Sequence, residues 1–244
     1  MALDVSINNR VGWGTEEHVA RECAVTLDFT PDVCDPATGS QVLVQGGEIK
    51  YETAPVGIIG TLDRPTNCTE DDDASFLTKA LKNSTELAVT QALVTRPSGG
   101  PTAGVWFGHP DITTSVGTAD TAGIGAARSE WYRHTVWAKT VRPILHVPPA
   151  LMPELRFNGL LEVTATGETV TIWGDEVIFS PAYDWIGGTW AVWTGPVSAD
   201  VSTVENTGTV VNTKQNRAST GATLLITVDT PPCAIVAVGV LTIP

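Results

Sequence analysis

Residues Asp71 to Thr95 read DDDASFLTKALKNSTELAVTQALVT, and this stretch decides how the rest of the chain is parsed. Leu77, Ala80, Leu81, Ala88 and Ala92 recur at three-to-four spacing, the period of a helix that buries one narrow stripe. The acidic run Glu70, Asp71, Asp72 and Asp73 stands at its N-terminal end. Carboxylates there cap free backbone N–H groups and oppose the positive end of the helix dipole. Pro97 and Gly99-Gly100 stop the pattern. The spacing predicts one long helix, and the acidic run needs no metal ion to explain it.

Towards the N-terminus the period is lost. Residues 1–20 read as an extended arm broken by Asn8, Asn9, Gly12 and Gly14, with Trp13 as an aromatic anchor. Ala24 to Phe29 reads as a strand stopped by Pro31. Gln41–Val44 and Ile49–Thr53 flank Gly46-Gly47, which predicts a projecting β-hairpin or loop over residues 36–60.

Towards the C-terminus a second helix is expected from Thr121 to Val141. Ala127, Trp131, Thr135, Ala138 and Val141 share one face, and Arg128, Arg133 and Lys139 turn more to solvent. From Ile144 the chain reads as strands. These are Ile144–Val147, Leu160–Thr166, Thr169–Ser180, Trp190–Val197, Thr209–Val211, Ala222–Val228 and Ala234–Ile243. Thr166-Gly167-Glu168 is a hairpin turn. Long helices set among many strands make the class α+β.

A chain of 244 residues with 42% apolar content can build one large domain or two intimate ones. Only 17% of residues are charged. That low share fits either a surface covered by partners or a large β-rich domain with a Thr-rich surface. The net charge is -13, and the 14 Lys and Arg are scattered. Such a chain repels duplex DNA, so sequence-specific binding of nucleic acid is not expected. No apolar stretch reaches membrane-spanning length, and Met1–Arg10 lacks an apolar signal core.

The sequence holds no recognisable catalytic constellation. His18, His109, His134 and His146 lie far apart, no GxSxG or HExxH occurs, and Gly57-Ile58-Ile59-Gly60 lacks the Lys-Ser/Thr of a phosphate loop. Cys23, Cys34, Cys68 and Cys233 have no zinc-site spacing. Asp175 and Glu176 are neighbours and would point to opposite faces of a strand. His146 sits in an apolar strand, where a hydrogen-bonded core histidine is the expectation. Trp185, Trp190 and Trp193, with Tyr183, suggest a binding platform or packing. Strand alternation splits Trp190 and Val192 from Trp193 and favours packing. The chain reads as a non-enzyme with no catalytic residue, cofactor or metal.

The order of these motifs resembles a known group. The helix Thr121–Val141 precedes Ile144-Leu145-His146-Val147-Pro148-Pro149, then Gly174-Asp175-Glu176-Val177-Ile178 and Tyr183. Gly188-Thr189-Trp190-Ala191-Val192-Trp193-Thr194-Gly195-Pro196-Val197 follows, then Asn216-Arg217 and the Cys233 strand. Upstream, Cys68 and an acidic run lead into a helix ending Ala88-Val89-Thr90-Gln91-Ala92-Leu93. The whole resembles head proteins of actinobacterial phages, tailed-bacteriophage major capsid proteins with the Hong Kong 97-type fold. The resemblance implies an N-terminal arm (1–20), a peripheral strand (21–35), an extended β-loop (36–60), and a peripheral domain with a spine helix (61–100). An axial domain with a mixed sheet (101–205) and C-terminal strands returning to the peripheral domain (206–244) complete it.

The implied function is a self-assembling shell subunit of the virion, made in the host cytoplasm. Its partners would be copies of itself in pentamers and hexamers, with portal, scaffold or decoration proteins besides. Packaged double-stranded DNA would be contacted non-specifically at most, and no membrane is involved. Trp13, Lys50, Trp131 and Arg133 are the candidate interface residues. Some relatives cross-link neighbours through Lys and Asn; by residue type alone Lys50 and Asn206, Asn212 or Asn216 would qualify. Three other readings stand beside this one: a decoration or tail protein, a binding module using Trp185–Trp193, and an enzyme of unrecognised type.

Overall fold

A computed structural model describes residues 3–7, 16–20, 27–29, 40–43, 49–53, 55–66, 72–94, 107, 113–115, 117–134, 142–185, 187–230 and 235–240. Up to residue 53, and at 113–115, 134 and 185, the description is of the backbone alone. The strands are β1 (Leu3–Ile7), β2 (Glu16–Ala20), β3 (Leu27–Phe29), β4 (Ser40–Leu43), β5 (Ile49–Thr53), β6 (Val56–Pro65), β7 (Thr113–Ser115) and β8 (Ile144–Val147). Then come β9 (Leu161–Val163), β10 (Thr169–Thr171), β11 (Glu176–Phe179), β12 (Trp190–Thr194), β13 (Val197–Val201), β14 (Glu205–Asn212), β15 (Arg217–Asp229) and β16 (Val236–Gly239). The helices are α1 (Asp73–Asn83), α2 (Thr85–Val94), α3 (Thr121–His134) and α4 (Met152–Phe157).

Two sheets organise the chain. In the first, β15 is the central strand. It pairs antiparallel with β6 along one edge and with β14 and then β13 along the other, and β1 adds parallel to β13. Ala218, Thr220, Ala222, Leu224, Ile226 and Val228 alternate along β15 and are buried. This period-two face meets Leu77 and Leu81 of α1 and Ala88, Ala92 and Leu93 of α2 in one apolar cluster.

The second sheet runs β7-β16-β12-β8-β11-β10-β9 and mixes parallel and antiparallel pairs. All five residues of β12 are buried, because the sheet is covered on both faces there. Ala191 and Trp193 join Ile124, Ala127 and Trp131 of α3 in one cluster. Trp190 and Val192 face the other way and join the α2 cluster. The split expected from strand alternation is what the chain adopts, and it gives the two sheets a shared core.

Several expectations are corrected. The helix expected over Asp71–Thr95 is two helices, α1 and α2, separated at Ser84. The Ser84 hydroxyl donates to the Ala80 carbonyl at 2.9 Å and the Thr85 hydroxyl to the Lys82 carbonyl at 2.8 Å. Such side-chain bonds compete with the helical ladder, and Asn83-Ser84-Thr85 concentrates them. Asp72 makes no side-chain cap; Asp73 is buried and pairs with Arg64 of β6 at 3.2 Å. Asp73 of the acidic run thus serves a helix-to-sheet ion pair. Glu70 and Asp71 lie outside the described residues.

The hairpin expected over 36–60 is also different. β4 and β5 do not pair with each other: β5 pairs with β2 and β4 with β3. Glu16 opposes Thr53 and Phe29 opposes Ser40. The two ladders are separate two-stranded sheets, the β3–β4 pair lying within the chain segment that β2 and β5 bracket, and Val56 onward belongs to the first sheet. Part of the expected free arm, β1, is an edge strand of that same sheet.

Thr169–Ser180 is a hairpin instead of one strand, because Gly174 at φ +79° turns the chain between β10 and β11. Trp190–Val197 is two strands in different sheets, broken at Gly195-Pro196. β14 and β15 lie in the helix-bearing sheet, and β16 lies beside β12 in the other. Helix α4 has no counterpart in the sequence reading. Its start, Pro148-Pro149, reads as a strand terminator, and the 3-10 turn Pro149–Leu151 leads into it.

Candidate functional site

Two clusters of polar groups inside the core are paired for structure, while the Trp190 indole N–H and the Thr230 hydroxyl are buried with no hydrogen-bond partner among the described residues. His146 on β8 is fully buried, with Nδ1 2.6 Å from the Tyr183 hydroxyl and Nε2 2.9 Å from the Thr194 hydroxyl. A neutral imidazole carries one donor and one acceptor, so two hydroxyls satisfy it. Burial pushes its pKa down to about 3 and holds the ring neutral. Burial likewise raises the Tyr183 phenol. Phe107 and Trp190 pack edge-on against this pair. Such a sealed, uncharged group has no substrate access, as expected of a core histidine.

A second polar cluster ties α3 to the β10–β11 hairpin. Arg128, expected nearer solvent, donates to both carboxylate oxygens of Asp175, at 2.5 and 3.2 Å. Its guanidinium carbon lies 4.8 Å from the ring centroids of both Tyr132 and Trp173. Asp175 is 1% exposed and also accepts from the Thr171 hydroxyl. Asp175 therefore anchors the turn, and its neighbour Glu176 does not share its site. Gly125 lets the helix approach: a Cβ there would stand 3.3 Å from the Trp173 ring. At the start of α3, the Asp120 carboxylate accepts the Gly123 N–H at 2.8 Å. That bond and the Thr118 hydroxyl hold its pKa down, a cap the sequence reading passed over.

The four candidate interface residues separate. Trp13 lies outside the described residues. Lys50 is on β5. Arg133 is exposed and pairs loosely with Glu130, at 3.3 Å along the helix. Trp131 is corrected: it is fully buried beneath α3, because its position on the apolar face turns it to the sheet and away from any neighbour. Trp190 and Trp193 are fully buried on opposite faces of β12, which removes them from an exposed aromatic platform.

Some exposed apolar groups lie at sheet edges, and others, such as Phe76, Leu87 and Tyr132, lie on the helices. Phe157 at the end of α4 is 91% exposed, near edge strand β9 with Val163. On the first sheet Ile59 and Val210 are each 71% exposed, and every residue of β14 is exposed. A groove of about 500 Å³ lies between α2 and β11, lined by Leu87, Glu86, Thr90, Glu176, Ile178 and Pro181 among others. Its carboxylates sit with aliphatic side chains and hydroxyls, and it offers no histidine or cysteine. Among the described residues no group of three His, Cys, Asp or Glu is placed to hold a metal ion. No helix among them is long and apolar enough to cross a membrane. What the described residues present is a set of bare sheet edges and apolar rims suited to contact with other chains.

No protein-family model matches the sequence, and no curated protein matches it. Solved structures do. The capsid of Myoviridae phage XM1 aligns with a TM-score of 0.58 at 8% identity, covering 98% of this chain and 89% of that one. The capsid of a native GTA particle aligns with a TM-score of 0.55 at 9% identity, covering 98% and 88%. A structure from Mycobacterium phage Adephagia aligns with a TM-score of 0.54 at 10% identity, covering 98% and 88%. The chain therefore has the fold of phage capsid subunits. In particular it is the Hong Kong 97-type α+β fold, with a helix-bearing sheet and a mixed sheet.

Proposed function

We propose that this chain is the major capsid subunit of a tailed bacteriophage, assembling into an icosahedral shell around double-stranded DNA. The alignment with the XM1 capsid carries the reading, since it covers 98% of this chain and 89% of that one. The sheet with α1 and α2 is the peripheral region, and the sheet with α3 is the axial region around five-fold and six-fold positions. Among the described residues the β2–β5 and β3–β4 ladders are hydrogen-bonded into neither large sheet, which supports an element that reaches over a neighbour. Heterologous contacts of this kind close into rings, and pentamers and hexamers tile a shell.

The net charge of -13 suits a container, because a wall that bound DNA tightly would stall packaging. The subunit works in the virion after assembly in the host cytoplasm. Portal, scaffold or decoration proteins are its further partners, and its role is structural without catalysis. Sedimentation of the purified chain tests this. Particles far heavier than a ring of six are expected, and a stable 25.7 kDa monomer would contradict it.

A further inference from the structure

We propose that the free edge of β14 pairs antiparallel with the same edge of a second copy, across a two-fold axis, and so joins neighbouring rings. This rests on the shell-subunit reading. β14 is hydrogen-bonded to β15 on one side, no strand among the described residues covers the other, and all eight of its residues are exposed. A bare edge of backbone N–H and C=O groups is a template for another strand, and proteins that stay monomeric blunt it with Lys, Pro or a bulge. β14 has neither Lys nor Pro. Its irregularity lies between Asn206 and Gly208, and the outer part, Gly208–Asn212, keeps an unbroken register with Arg217–Gly221.

The sequence of that outer part says what covers it. Copies of a chain with net charge -13 repel one another over most of their surface, but Asn206–Asn212 carries no charge. Two copies can meet there without repulsion. Val210 and Val211 are exposed on opposite faces, at 71% and 55%, and both would be buried by pairing. Antiparallel pairing centred on Val210 sets it against itself and sets Thr209 against Val211. β-branched pairs of this kind stabilise a sheet. Identical edges can meet antiparallel only about a two-fold, which makes the contact one between rings and not within them.

Val210→Cys tests the pairing. Directly opposed residues on antiparallel strands fall within disulfide reach. Mild oxidation of assembled particles is expected to raise the dimer band about tenfold over the unaltered chain, and the linked peptide is expected to join the two introduced thiols. Particles that form but yield no such dimer overturn the pairing while leaving the shell reading intact. Charge reversal gives a second readout. Val210→Lys alone and Val210→Glu alone are each expected to form rings without shells, and a mixture of the two to restore shells. Closed shells from Val210→Lys alone would overturn the proposal.

Discussion

Arg128 Nε lies 2.5 Å from Asp175 Oδ2, and this side-on pair is what fastens α3 to the tip of the β10–β11 hairpin. Asp175 is almost fully buried, while a fifth of the Arg128 side chain remains exposed. Removing only the cation leaves a carboxylate without its charge partner. Arg128→Leu is therefore expected to cost about 2 kcal/mol, less than a fully buried pair because solvent screens part of it. The double variant Arg128→Leu with Asp175→Asn should recover part of that loss. Urea unfolding of the wild type, both singles and the double variant measures the coupling.

Gly125 and Trp173 make a second prediction at the same junction. The ring already stands close to where a Cβ would sit, but Trp173 is 39% exposed and has room to move. Gly125→Ala should be near neutral, because helix propensity offsets the small displacement. Gly125→Leu should destabilise by about 1–3 kcal/mol through overpacking. Thermal unfolding of the two variants separates these outcomes.

His146 predicts a pH dependence. Its pKa falls from about 6.5 in the unfolded chain to about 3 in the folded one. The unfolded chain therefore binds the proton first, and folding stability drops as pH falls below about 6.5. The slope from this one group approaches about 1.4 kcal/mol per pH unit towards pH 4. At and above neutral pH the contribution is fully present. Denaturant titrations at a series of pH values read the slope, and His146→Asn should lose this component whatever its absolute stability.

Covalent cross-linking is not expected. Asn206 and Asn212 are exposed on β14 and Asn216 lies in the turn after it, but no sequence motif pairs any of them with Lys50. Particles boiled in detergent should run as one band at 25.7 kDa. A ladder of higher bands would show that neighbouring subunits are linked.

Part of this architecture is legible in the sequence because local rules decide it. Strand alternation places Trp190 and Trp193 on opposite faces. Thr166-Gly167-Glu168 marks the turn between β9 and β10, and an apolar four-residue run marks β8. The misreadings share another cause. Gly174, Gly195-Pro196 and Asn83-Ser84-Thr85 interrupt segments whose apolar pattern runs on across them, so periodicity alone joins what the backbone divides. The β2–β5 ladder escapes a local reading because Gly46-Gly47 is a good turn signal, while the pairing of β2 with β5 is long-range. Arg128 is misplaced for the same reason: its partner lies 47 residues away. The edge of β14, uncovered among the described residues, carries no signal, since exposure is a property of the folded sheet.

On the proposed function, copies of this chain build a closed container. Negative-stain electron microscopy of the purified chain tests it most directly. Closed, uniformly sized shells are the predicted result; a field of monomers, isolated trimers or open tubes would contradict it.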